Sequence, residues 1–227
     1  MHYPEIRYSK NKSLSISAFK DMDTLAIEDY KLPIELMMEN AGLQLARFVS
    51  GYATKNSKIN IGIGNGNNGG GGLVAARKLA AWDYQVHLDL FTSITKDLPA
   101  KQFDRAQRFG VNTTAVEYPD IWIDAYLGFS QRLPLKNSLL STLERVNRSS
   151  ALKISLDIPT GFSGDRNSTY FKADKVLTLA APKSILFDLP FNIEIFIADL
   201  GLPKEVYEIF GVDILPFDEG GIIKLKY

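Results

Sequence analysis

KINIGIGNGNNGGGGLVAARKLAAW, residues 58–82, is the stretch from which the rest of the chain is read. KINIGI is a short apolar run that stops at glycines, the pattern of a buried strand entering a tight turn. GGLVAARKLAAW then takes up helical spacing. Within the turn, Gly64, Gly66 and Gly69 spell G-x-G-x-x-G, and Asp89 lies twenty residues past Gly69, where an acid for a ribose is expected in a dinucleotide site. Six glycines fall within residues 64–72, whereas a tight turn needs one or two. The excess points to backbone brought close to a ligand, with the following helix aiming free N–H groups at a phosphate.

The spacing alone leaves open which phosphate compound that is. Two helices precede the strand, and Asp89 sits inside its own strand pattern, where it reads as a surface aspartate. Asn67 and Asn68 add side-chain carbonyl oxygens suited to a cation or a ligand amide. These features weigh against an ordinary NAD-dependent oxidoreductase, for which no hydride-transfer residue set is evident.

Upstream, residues 15–30 place Phe19, Met22, Leu25, Ala26 and Tyr30 near one helical face. Pro33 opens a second helix, IELMMENAGLQLARFVSGYA, in which Glu39, Asn40 and Gly42 interrupt an apolar run. Downstream, strands are expected at 84–91, 121–128, 151–161, 174–181 and 193–200, with helices at 99–110, 135–148 and 203–211. This alternation predicts an α/β chain with a mostly parallel sheet and helices on both faces.

Ligands of such sheets bind beyond the carboxyl ends of the strands. Three strand ends carry suitable turns: Gly64–Gly72, Asp124–Pro134 (DAYLGFSQRLP) and Asp157–Gly161 (DIPTG). Asp157, held at a strand end by a turn containing Pro159 and Gly161, suits acid–base work; the alternative is a capping aspartate. Asp124 reads as a metal ligand or a cap. Lys183 reads as a phosphate partner or, more commonly, a solvated lysine.

Composition narrows the classes. The 227 residues suit one domain, and 26 basic residues balance 26 acidic ones. A neutral chain lacks the uncompensated cations that a nucleic acid or an anionic membrane requires. There is no cysteine and there are only two histidines, His2 and His87, which excludes disulfides, thiolate catalysis and multi-histidine metal sites. No segment has the length of a membrane span and the first residues lack a signal-peptide core, so a soluble, cytoplasmic protein is expected.

Taken in order, several segments resemble the YjeF N-terminal domain family, the NAD(P)H-hydrate epimerases. MDTLAIEDYKLPIELMMENAG resembles the family's opening helices, and GNGNNGGGGLVAAR resembles its loop G-x-G-N-N-G-G-D-G-L-V-A-A-R. WIDAYLGFS, SLDIPTGFSGD and KADKVLTLAAPKSILF resemble the later D-A-x-x-G, V-D-I-P-S-G and A-D-x-T-x-T-x-x-x-P-K segments. The resemblance covers nearly the whole chain. It implies a Rossmann-like three-layer α/β/α sandwich spanning residues 1–227, without the dehydratase domain fused to many members.

It also implies an isomerase that interconverts the R and S epimers of hydrated NADH and NADPH, with Asp157 as acid and base and a separate dehydratase as functional partner. Asn67, Asn68, Gly69, Gly70 and Gly71, together with Gly128, Phe129, Ser130, Gln131, Arg132, Leu133 and Pro134, correspond to the family's substrate loops. Asn68, Asp124 and Thr160 correspond to side-chain ligands of a potassium ion, Thr160 replacing the usual serine. Homodimers are common in the family. Gly71 departs from the pattern, standing where the family has aspartate. That substitution raises a rival expectation, a catalytically degenerate nucleotide-binding or protein-interaction module of the same fold.

Overall fold

The computed structural model describes residues 3–213 and 216–227. Its strands are β1 (Glu5–Arg7), β2 (Lys58–Ile63), β3 (Gln85–Leu90), β4 (Ile121–Ala125), β5 (Leu152–Leu156), β6 (Lys175–Leu179), β7 (Glu194–Ala198) and β8 (Ile222–Lys226). Its α-helices are α1 (Ile16–Glu28), α2 (Ile34–Ser50), α3 (Asn67–Ala81), α4 (Asp97–Arg108), α5 (Asn137–Asn147) and α6 (Lys204–Ile209). The strands form one sheet in the order β1-β8-β7-β6-β5-β4-β2-β3. Neighbours run parallel except β7 and β8. The expected α/β class with a mostly parallel sheet is therefore what the chain adopts. Among the described residues, no helix is long and apolar enough to cross a membrane.

Strand parity divides the core. Ile121, Ile123 and Ala125 of β4 pack with Leu45 of α2 and Leu73 of α3, while Trp122 packs on the other face with Leu139 and Leu143 of α5. A third cluster joins Phe19 and Met22 of α1 to Val206 and Tyr207 of α6, and to Ala180 and Leu200, which follow β6 and β7. Helix α1 thus lies over the carboxyl end of the sheet. Tyr30, placed on the α1 face by spacing alone, falls beyond the helix and is exposed.

After β2 the chain moves outward to β3 and then returns to the other side of β2 as β4. The loops after β2 and β4 diverge at this reversal, which opens a crevice at the carboxyl edge.

Three sequence expectations change. The glycine stretch is a helix rather than a loop: α3 starts at Asn67 and contains Gly69 to Gly72. Four interior glycines disfavour a helix by roughly 1 kcal/mol each relative to alanine, so tertiary packing must require them. At Gly69 and Gly72 it does, whereas at Gly70 the obstacle is the flexible end of Met38. An added Cβ would lie 1.9 Å from the carbonyl oxygen of Gly64 at Gly69, 2.5 Å from Met38 Sδ at Gly70 and 2.6 Å from Ala125 Cβ at Gly72. Gly71 differs, since a Cβ there would meet only Leu156 Cδ2 at 3.4 Å and Ala41 Cβ at 3.8 Å, ordinary contacts. Gly69→Ala is therefore expected to lower stability by about 1–3 kcal/mol, and Gly71→Ala to raise it by up to about 1 kcal/mol. Urea unfolding of both variants checks the contrast.

The second change is β1 and β8, which the sequence reading did not include. The third concerns Glu39 and Asn40, the polar interruption of the apolar run, which are half-buried and partnered. Glu39 accepts from Arg77 Nη2 at 2.5 and 2.7 Å, and Asn40 Nδ2 donates to the carbonyl of Leu200 at 2.9 Å.

Candidate functional site

Residues that follow β2, β4 and β5 meet around a cavity of about 810 Å³, which α1 and α2 close from above. Its floor carries Asp157. This residue continues β5 by donating its N–H to Leu177 O at 2.8 Å, then turns with φ +71. A positive φ is uncommon for any side chain but glycine, although aspartate tolerates it better than most. The turn directs the carboxylate inward, where it is 2% exposed. Its Oδ2 accepts from the Phe129 N–H at 2.8 Å. Its Oδ1 pairs with Lys183 Nζ at 2.9 Å and accepts from Thr178 Oγ1 at 3.3 Å.

Lys183 corrects the expectation of a solvated lysine. It is wholly buried and belongs to the site. Its ammonium also donates to Thr178 Oγ1 at 3.0 Å and Leu179 O at 2.9 Å, and it lies 3.6 Å from the centre of the Phe19 ring. Burial pushes its pKa down, and Asp157 opposes that shift. A buried cation needs such partners, because an isolated one loses its hydration without return.

A second cluster sits behind the first. Asp124 and Ser155 are register partners on β4 and β5, so their side chains fall side by side. Asp124 Oδ2 accepts from Ser155 Oγ at 3.0 Å and Thr160 N at 2.8 Å; Oδ1 accepts from Thr160 Oγ1 at 2.6 Å and Tyr126 N at 3.3 Å. Asp124 forms no ion pair among the described residues. Burial pushes its pKa up to about 6, against these hydrogen bonds, which lower it. Thr160 Oγ1 accepts from Leu127 N at 3.1 Å, and Asn68 Nδ2 donates to Leu127 O at 2.8 Å. Asn68, Asp124 and Thr160 are thereby gathered around the Leu127 peptide. Gly128 separates the two clusters: a Cβ there would lie 3.0 Å from Asp157 Oδ2 and 3.1 Å from Asn68 Cγ.

Of the remaining residues singled out above, Asn67, Gly71, Phe129, Ser130, Gln131, Arg132 and Pro134 line the cavity along with Asn68 and Gly128. Arg132 is exposed at its rim. Gln131 ties two loops together, accepting from Gly161 N at 2.7 Å and donating to Phe162 O at 3.2 Å. Gly69 and Gly70 are packed beneath the cavity without lining it, and Leu133 points away from it into solvent. Asp89 does not approach the cavity; it pairs with Arg145 Nη2 at 2.8 Å.

Sequence reading offers Lys183 as a phosphate partner or a solvated lysine, not as the partner of Asp157, and it misses Thr178 and Asp23 as site residues. Asp23 stands half-buried in α1, one turn after Phe19, and lines the cavity. An aspartate bordering the buried stripe Phe19, Met22 and Ala26 was the available signal.

The family model described as YjeF-related protein N-terminus matches residues 34–185. The chain belongs to the YjeF N-terminal family. It is 33% identical over 217 residues to a Rhodopirellula baltica protein named NAD(P)H-hydrate epimerase, a match covering 88% of each chain. It is 30% identical over 189 residues to a Thermofilum pendens protein named bifunctional NAD(P)H-hydrate repair enzyme Nnr; that match spans 76% of this chain and 36% of the longer protein. The crystal structure of yeast ynu0, YNL200c, superposes with a TM-score of 0.86 at 20% identity, covering 94% of this chain and 99% of the yeast one. The yeast chain therefore shares the fold over most of this chain, beyond the segment the family model matches.

Proposed function

We propose that this YjeF N-terminal protein is an NAD(P)H-hydrate epimerase, working in the cytoplasm with a separate dehydratase. The observation that carries the reading is Asp157, a carboxylate fixed from both sides at the floor of the cavity. Names of relatives covered along most of their length point the same way.

The chemistry needs little more than a placed proton. In hydrated NADH or NADPH a hydroxyl sits on a ring carbon next to nitrogen, a carbinolamine. Protonating that hydroxyl lets the nitrogen lone pair expel water and leaves an iminium. Water returning to the other face gives the other epimer. A carboxyl group can give the first proton and accept the last. Phe129 N–H and Lys183 orient the Asp157 carboxyl. The intact Asp157–Lys183 pair favours this reading over a degenerate binding module, because Gly71 leaves that pair untouched.

The test is to follow interconversion of separated epimers of hydrated NADH by chromatography, with the spontaneous rate subtracted. Acceleration by the wild type that disappears in Asp157→Asn is the expected result. No acceleration by the wild type, with rescue by Gly71→Asp, would establish the binding module instead.

The reading extends to a potassium ion at Asn68, Asp124 and Thr160. The donors are a carboxylate, a hydroxyl and a side-chain amide beside the Leu127 carbonyl, all hard oxygen ligands. Only one is an acid, and among the described residues no group of three or more His, Cys, Asp or Glu is placed for a metal, so the set suits a monovalent cation. Such an ion would offset the buried Asp124 charge and draw the loops after β4 and β5 together. Because the folded-state pKa of Asp124 is raised from 3.8 to about 6, its ionisation works against folding. The protein loses up to about 3 kcal/mol as pH rises from below 4 through 6. Added potassium is therefore expected to raise Tm at pH 8 and to have no effect below about pH 5. Thermal melts in matched potassium and tetramethylammonium chloride at both pH values check this, and an Asp124→Asn variant should lose the potassium response.

A further inference from the structure

Resting on the epimerase reading, we propose that Asp23 is a second catalytic residue, and that Asp23 and Asp157 serve opposite faces of the hydrated nicotinamide ring. Inversion by loss and return of water requires a proton donor on the face that water leaves and a proton acceptor on the face that water enters. A single fixed carboxyl serves only the face it touches unless the ring turns over in the site. Asp157 is fixed, with both oxygens held by Phe129, Thr178 and Lys183.

The cavity supplies a second carboxyl from a different layer. Asp157 rises from the sheet edge, whereas Asp23 descends from α1, and both line the same space. The Phe19 ring, one turn before Asp23, lies against Lys183 Nζ at 3.6 Å and seats the helix over the ion pair. Among the described residues Asp23 has no hydrogen bond or ion pair of its own, so its carboxyl is free to meet a ligand. Burial and the nearby Asp157 charge raise its pKa, while Lys183 lowers it. The cycle needs one proton on this pair of carboxyls, so that one acts as acid and the other as base, with Lys183 beside Asp157 to balance charge.

The cycle then balances. The protonated carboxyl gives its proton to the hydroxyl, the C–O bond breaks with its electron pair leaving as water, and the nitrogen lone pair forms the C=N bond. On the opposite face the ionised carboxylate takes a proton from an entering water as its oxygen bonds to carbon and the C=N pair returns to nitrogen. The proton has passed from one carboxyl to the other, and the site is ready to catalyse the reverse inversion.

The experiment follows separated epimers of hydrated NADH in ¹⁸O-water by chromatography and mass spectrometry, with the full chain throughout. The wild type is expected to place one solvent oxygen on the ring carbon at each inversion. Asp23→Asn is expected to lower inversion at least about 10²-fold while Asp157 still exchanges the hydroxyl oxygen of one epimer with retention. Asp157→Asn should exchange only the other epimer. Asp23→Glu, which restores a carboxyl, should recover at least a tenth of the inversion rate, and Tm of each variant should match the wild type within a few degrees for Asp23. Inversion by Asp23→Asn within a few-fold of wild type would overturn the proposal, as would loss of inversion and exchange together, or inversion by the wild type without label. No acceleration by the wild type would instead refute the epimerase reading on which the proposal rests.

Discussion

Asp157→Asn is expected to reduce epimerisation by about 10²- to 10⁴-fold, the range that a positioned general acid–base contributes. The substitution keeps the size of the side chain but not its acceptors. Asp157 receives the Phe129 N–H on one oxygen and the Lys183 ammonium on the other. Asparagine has one oxygen, so its NH₂ must face one of these two donors. Stability is therefore expected to fall as well, by about 1–3 kcal/mol. Rate measurements belong well below the melting transition, and circular dichroism fixes that limit. A variant that stays folded and fully active would remove Asp157 from the mechanism.

Lys183→Met is expected to produce the largest loss of stability. It fills similar volume but removes the only cation from a pair that is 0% and 2% exposed. Breaking a buried pair by deleting one partner costs about 3–5 kcal/mol, because the other charge remains without compensation. For a chain of this size each kcal/mol moves Tm by roughly 2–4 °C, so a fall of about 6–20 °C is expected. The Asp157→Asn, Lys183→Met double variant should be more stable than Lys183→Met alone, since the stranded charge is gone. Strict additivity of the two single effects would mean that the ion pair carries no coupling energy.

How much of this was legible beforehand depends on where each signal lies in the chain. Apolar runs such as KINIGI and LKISL form parallel strands of the sheet, and their composition announced them. Asp124 and Asp157 stood out because each closes such a run, at the edge where parallel sheets place ligands. The start of α3 was hidden, because four glycines argue against a helix locally and only the contacts of Gly69 with Gly64 and of Gly72 with Ala125 show why they are there. β1 was hidden for a different reason. EIR is three residues long and is held by β8, more than two hundred positions away. Lys183 looked like a surface lysine since most lysines are, and its burial depends on Phe19 and Asp157, neither near it in sequence. Asp23 was obscured by its helix, whose spacing advertised an apolar face but not what that face covers.

The position of β8 between β1 and β7 bears on the order of events during synthesis. Tyr8 N–H donates to Lys226 O and Lys224 N–H to Pro4 O, so the first strand is stitched to the eighth on both sides. Until residues 222–226 have emerged from the ribosome, β1 has no place in the sheet. The six parallel strands, with the carboxylates at their ends, can assemble first, while β1 waits for a partner more than two hundred positions later in the chain. Deleting β8 would therefore unseat β1 as well and leave β7 as the edge of the sheet.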